Sequence, residues 1–259
     1  MRVLELSTRL ASFNRKDGES ATAKAAYRAG EDIYCEREGK EHAYARRKGV
    51  ELAEIVLPAT APAWAKDRAR LWNEAELIEK NGKRGPRGGQ WKENVVTARE
   101  WLFALPHELS AEGRKAVARA VAEYLTTQHG LAVDFSIHTP GAEGDIRNFH
   151  IHMMMTSRRM SATGLGKKAT EFSNSLEEGS KLTLALRALT AKTINARLAA
   201  EGKAHLVKVE HKSFKDRGVQ RQPTKHQGVA KTNTKRKKLR NDRQAWAAAH
   251  RNEQKTTQG

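Results

Sequence analysis

The sequence predicts a sandwich of sheet and helices, α/β or α+β, in which helices cover one sheet face. Three observations carry this. Strand-like and helix-like segments interleave along the chain. The stretch from Leu131 to Thr156 keeps a period of two through two successive segments. Serines stand ahead of helix-like runs at Ser20 and Ser110, and Gly30 and Gly130 close them.

The elements follow in order. Arg2–Thr8 alternates in part and reads as a first strand, and Asn14–Gly18 reads as a loop. Ser20 caps an Ala-rich helix from Ala21 to Ala29 that stops at Gly30. Glu51–Leu57 reads as a strand closed by Pro58. Pro62–Lys80 reads as a helix, with Trp64, Leu71, Trp72, Ala75 and Ile78 near helical spacing. Asn81–Gly89 is a basic, Gly-rich loop. Glu93–Leu105 reads as helix at its start and strand at its end. Ser110 begins a helix through about Gln128. Two strands follow, then a helix from about Ser173 to Ala200, then a basic tail.

Charge narrows the partner. The 259 residues carry 48 Lys and Arg against 30 Asp and Glu, a net +18, which points to a polyanion and to nucleic acid first. Residues 203–259 hold 16 basic and 4 acidic residues, so most of the excess lies in the last quarter. Its densest part contains Lys235, Arg236, Lys237, Lys238 and Arg240, the pattern of a phosphate-binding arm that acts through counterion release. The single cysteine, Cys35, excludes a disulfide framework and a cysteine-based metal cluster. No apolar run reaches the roughly 20 residues of a membrane span, and the N-terminus does not read as a signal peptide. The expected compartment is the cytoplasm, with no membrane insertion.

The strongest chemical signal is the phase of the alternation. Val133, Phe135 and Ile137 share one parity with Phe149, Ile151, Met153 and Met155 once the two segments pair antiparallel. His138, His150 and His152 then share the opposite face. Three imidazoles on a rigid sheet make a metal site with positions left for substrate oxygens, and ligand type alone favours zinc. Tyr27 lies on the Ala-rich helix between Lys24 and Arg28, cations that can assist a phenol against phosphorus or bind DNA phosphates. Small neighbours, Ala23 and Ala26, leave room for a bulky substrate. The Gly164–Lys168 segment is not a nucleotide-binding P-loop, so coupling to nucleotide hydrolysis has no seat.

Several segments together resemble the MobA/MobL relaxases, plasmid-mobilisation nicking enzymes with a His-hydrophobic-His signature. These are Ser20–Gly30; His42-Ala43-Tyr44 with Lys48-Gly49-Val50; Leu71-Trp72-Asn73; Ala98-Arg99-Glu100; Ala104-Leu105-Pro106; Ile137-His138; Asn148–His152; His211–Phe214; and Pro223–His226. The resemblance departs in the Gly82–Gly89 insert and in the helix after Ser173, where similar proteins carry a tryptophan-bearing segment. It implies an α+β fold like that of the HUH endonucleases, an antiparallel sheet with helices on one face and an open active-site face. The domain spans 1–228, with a basic tail at 229–259. The resemblance also implies Tyr27 as nucleophile, His138, His150 and His152 as metal ligands, and Glu100 as a base or an orienting group. The cation it implies is Mg²⁺ or Mn²⁺ rather than Zn²⁺. The activity implied is nicking of one strand at a plasmid origin of transfer through a 5′-phosphotyrosyl link, with a coupling protein and accessory mobilisation proteins as partners in a bacterial cytoplasm. Two rivals remain at this stage: a nuclease that uses water, and a non-enzymatic DNA-binding mobilisation factor.

Overall fold

A computed structural model describes residues 1–80, 92–141, 145–172 and 176–220. The insert at Gly82–Gly89 and the basic residues Lys235, Arg236, Lys237, Lys238 and Arg240 lie outside the described residues. Residues Met1–Arg217 form one compact unit.

The elements, in chain order, are β1 (Arg2–Glu5), β2 (Thr8–Asn14), α1 (Ala21–Ala29), β3 (Ile33–Cys35), β4 (Lys40–His42), β5 (Val50–Val56), α2 (Arg68–Leu77), β6 (Val96–Leu105), α3 (Ala111–His129), β7 (Leu131–His138), β8 (Phe149–Ser161), β9 (Gly164–Lys168), α4 (Leu176–Ala200) and β10 (Val207–Glu210). The main sheet runs β2-β6-β8-β7-β5, all antiparallel, and β9 pairs with the far end of β8. This is the α+β antiparallel architecture that the sequence predicts.

Alternation decides the layering. Trp101, Phe103 and Leu105 of β6, Val133, Phe135 and Ile137 of β7, and Ile151, Met153 and Met155 of β8 share one face and are buried beneath α3 and α4. α3 contributes Val117, Val121 and Leu125 at helical spacing, and α4 contributes Leu186, Ile194 and Leu198. The Trp101 indole donates to Thr190 Oγ1 at 3.2 Å, so the one polar atom of that buried ring is satisfied and α4 is registered on β6. On the opposite face α1 and α2 pack over Ala98, Ala132 and Met154, with Phe13, Leu71 and Trp72 between them. That second layer is incomplete. His150 and His152 at its edge keep partial exposure.

Several boundaries differ from the sequence reading. The strand expected at Arg2–Thr8 is divided. β1 pairs in parallel with β10 as a separate ribbon, while Thr8–Asn14 is the edge strand of the main sheet. As an edge strand β2 tolerates the polar residues that hide its period. β6 is strand from Val96 onward, with no helical start, because it is paired on both sides by β2 and β8. The helix expected over Pro62–Lys80 is broken: a short 3₁₀ turn spans Ala63–Lys66, and α2 starts anew where the Asp67 carboxylate accepts from Arg70 N at 3.0 Å. The Ser20 and Ser110 caps are formed as expected, each accepting from a backbone amide three residues on.

Candidate active site

Pairing of β7 with β8 sets His138 directly opposite His150 and Ser136 opposite His152. All three histidines therefore point to the α1 side of the sheet. Their ring centroids are 4.6 to 5.3 Å apart, and one nitrogen of each lies within 4.8 Å of those of the other two.

Each ring has one nitrogen hydrogen-bonded to an oxygen. His138 Nε2 lies 2.8 Å from the carbonyl of Arg28, His150 Nδ1 lies 3.1 Å from the carbonyl of Asn148, and His152 Nδ1 lies 2.8 Å from Glu100 Oε1. In that arrangement each of these nitrogens carries the proton and donates it, and the other nitrogen of the ring keeps its lone pair. This is the arrangement that metal-binding imidazoles use. Burial pushes the His138 pKa down to about 3, helped by His152, Arg47 and His150 and opposed by the bond to the Arg28 carbonyl. Burial lowers that of His150 as well. Neutral rings with free lone pairs are what a cation requires.

Glu100, on β6 beside β8, is nearly buried. Burial alone would raise its pKa, but hydrogen bonds from His152 and Arg28 and the Arg28 charge outweigh that and bring it down to about 2. The Arg28 guanidinium grips the carboxylate in a two-pronged contact, Nε to Oε1 and Nη2 to Oε2, the latter at 3.0 Å.

Arg28 is thereby the link between helix and sheet. Its carbonyl accepts from His138, and its side chain holds Glu100, which in turn holds His152. The preceding residue is Tyr27. The start of α1 is fixed by Ser20 Oγ and by Glu76 Oε1, which accepts from Ala21 N at 2.8 Å, and Gly30 ends the helix with φ of 68°. At Gly30 an added Cβ would also come within 3.2 Å of Val50, so the glycine allows both the turn and the approach to β5.

Tyr27 is 42% exposed. Its ring packs edge-on against Tyr44 at 5.2 Å between centroids, and the Arg47 guanidinium lies 3.9 Å from its ring centre. Arg47 Nη1 is also 3.3 Å from His138 Nε2. One cation thus spans the space between the phenol ring and the imidazole trio.

Residues 19–237 match the MobA/MobL family. The chain belongs to that family. The mobilization protein MobL of Acidithiobacillus ferridurans is 32% identical over 250 residues, covering 87% of this MobA/MobL chain and 62% of the relative. The conjugal transfer protein TraA of Rhizobium radiobacter is 29% identical over 253 residues, covering 86% of this chain and 21% of its own length. A solved structure described as "Molecular Basis of Vancomycin Resistance Transfer in Staphylococcus aureus" superposes with a TM-score of 0.66 at 25% identity, covering 82% of this chain and 100% of that one. This MobA/MobL chain therefore spans 62% and 21% of the length of these two relatives.

His138, His150 and His152 converge, Glu100 bonds His152, and Tyr27 neighbours them through the Arg47 guanidinium, which faces its ring and lies 3.3 Å from His138 Nε2. Arg28 is a correction: it is not a surface contact for DNA but a buried partner of Glu100, because α1 turns that side of itself to the sheet. Ala26 is also wholly buried, so it serves close packing of helix on sheet and leaves no room for substrate. Lys24 is partly exposed and pairs with Glu19 at 2.5 Å. Arg47 was missed, although it lies between two quoted segments, His42-Ala43-Tyr44 and Lys48-Gly49-Val50; no spacing rule marks it. Asp134 shares the strand parity of His138 on β7. It is buried, accepts from both prongs of Arg68 at 2.9 and 3.1 Å and from the Trp72 indole at 2.8 Å, and so fixes α2 on β7.

Proposed function

We propose that this MobA/MobL chain is a relaxase that cuts one DNA strand at a plasmid origin of transfer and stays attached to it. The observation that carries the reading is the Arg28 tie. It holds the helix of an exposed tyrosine against two of three converging histidines. The names of the relatives, a mobilisation protein and a conjugal transfer protein, point the same way.

In this reading the Tyr27 oxygen attacks the scissile phosphorus and forms a 5′-phosphotyrosyl bond. The phenolic proton passes to solvent water, the bond from phosphorus to the DNA 3′-oxygen breaks, and that oxygen leaves as a hydroxyl with a proton taken from water. The phosphodiester energy is kept in the new ester, so rejoining needs no nucleotide cofactor. His138, His150 and His152 would hold a divalent cation, Mg²⁺ or Mn²⁺, which when bound would supply Lewis-acid polarisation of the phosphate. Glu100 and the Arg28 and Asn148 carbonyls hold the rings in orientation. Glu100 is then a positioning residue rather than a base, since both its oxygens are engaged. Arg47 offers its guanidinium to the phosphate beside the phenol. The substrate strand, a coupling protein and accessory mobilisation proteins are its partners, in a bacterial cytoplasm; none of the described helices is long and apolar enough to cross a membrane.

The test is direct. The chain is incubated with single-stranded oligonucleotides from its own plasmid's transfer region, with Mg²⁺ or Mn²⁺, and run on a denaturing gel. A protein band shifted by covalent 5′-linked DNA is expected. Free cut ends without a shifted band would replace this reading with water-mediated hydrolysis.

The tail at 229–259 completes the proposal as a non-specific DNA arm, with the relaxase domain in residues 1–228. It holds 9 basic and 2 acidic residues, a net +7. For single strands the salt slope is about −0.7 per phosphate neutralised. Deleting residues 229–259 is expected to flatten the dependence of DNA affinity on salt by several such units and to leave adduct formation at low salt intact. An unchanged slope would remove the tail from the binding surface.

A further inference from the structure

We propose that Cys35, Glu38 and His42 form a second divalent-cation site, separate from the imidazole trio and structural in role, suited to zinc. The three donors come from the β3–β4 ribbon, and Cys35 Sγ, a Glu38 oxygen and a His42 ring nitrogen all lie within 4.8 Å of one another. Glu38 Oε2 and His42 Nε2 are already 2.9 Å apart. A tetrahedral ion with bonds of about 2.0–2.3 Å places its ligand atoms roughly 3.3–3.8 Å apart, so the cation fits with small movements. Gly39, at φ of 63°, makes the tight turn that folds Glu38 back over Cys35.

The donor chemistry selects the ion. A thiolate, an imidazole and a carboxylate suit a borderline cation rather than Mg²⁺. Thiolate and carboxylate together neutralise its two charges, and the thiol proton is released to solvent on binding. Arg37 holds Glu38 Oε1 at 2.5 Å, which aims Oε2 at His42. The Lys40 ammonium, 3.4 Å from Oε2, is 62% exposed and can move away. Cys35 is fully buried, while Glu38 and His42 keep partial exposure, so the site has a deep end and an entry. The absence of a second cysteine does not exclude a site of mixed donors.

The position gives the role. Cys35 Sγ is 3.9 Å from Ser20 Oγ, the cap of α1, and Tyr44, two residues after His42, packs on Tyr27. A cation here fastens the ribbon that borders the tyrosine helix at both points.

The full chain loaded with Co²⁺ tests this apart from any DNA chemistry. The wild type is expected to hold two cobalt ions. The double variant His150→Ala/His152→Ala is expected to hold one and to keep a thiolate-to-cobalt charge-transfer band. Cys35→Ser is expected to hold one and to lose the band. Cobalt content unchanged in Cys35→Ser overturns the proposal. So does the absence of the band in the double variant, which decides the matter even if Cys35→Ser does not fold.

Discussion

Tyr27→Phe is expected to lower covalent attachment to DNA by roughly three orders of magnitude or more, with DNA affinity close to wild type. The substitution removes one oxygen from a side chain that is 42% exposed, so little folding energy is at risk. The ring still meets Tyr44 edge-on and still lies under the Arg47 guanidinium, because both contacts are made by the ring. A phosphorothioate-free oligonucleotide assay on denaturing gels reads the adduct, fluorescence anisotropy reads the affinity, and a melting curve shows that the fold is kept. Adduct formation at the wild-type rate would remove Tyr27 as nucleophile. The other tyrosines would then be tried in turn, beginning with Tyr44, which is the nearest described phenol in contact with it.

The reason to expect so sharp a separation lies in how the sequence encodes the site. The trio was legible because β7 and β8 are central strands, apolar on one face along β7 and along β8 as far as Met155. Once Phe135 and Met153 are assigned to the core, the phase of His138, His150 and His152 follows without any knowledge of chemistry. α1 and α3 were legible from their serine caps and closing glycines. What could not be read is the contact between elements distant in sequence. That Arg28 turns inward to Glu100, 72 residues away, depends on how α1 lies on the sheet, and local pattern does not carry that angle. The same holds for Glu76, which caps α1 from α2 across 55 residues, and for Arg47, which lies in a loop with no period at all. Edge elements failed for another reason. β2, β9 and β10 are short or polar, and each is defined by a partner strand rather than by its own alternation.

Glu100→Gln tests whether the long-range tie matters as much as the trio. Two effects are expected together. With the amide oxygen at the Oε1 position, His152 and Arg28 Nε keep their acceptor and the NH2 faces Arg28 Nη2; with the amide turned over, Nη2 keeps its acceptor and the NH2 faces His152 and Arg28 Nε, so either orientation sets donor against donor. Removing the charge leaves the Arg28 guanidinium, only 9% exposed, without its counter-ion, and breaking a buried pair in this way costs about 3–5 kcal/mol. Urea denaturation measures that loss. Cation affinity is expected to fall about 10–100-fold, the usual consequence of removing an acceptor behind a ligating imidazole, and Mn²⁺ titration below the melting transition measures it. The two readouts separate the roles of the carboxylate. A folded Glu100→Gln chain with reduced stability and unchanged Mn²⁺ affinity would make Glu100 a packing ion pair only. Reduced affinity in the folded chain, partly recovered in Glu100→Asp, would make it the group that aims His152. The Arg28–Glu100 pair then holds helix and ligand in one register, so the tyrosine and the trio cannot be moved apart without cost to both.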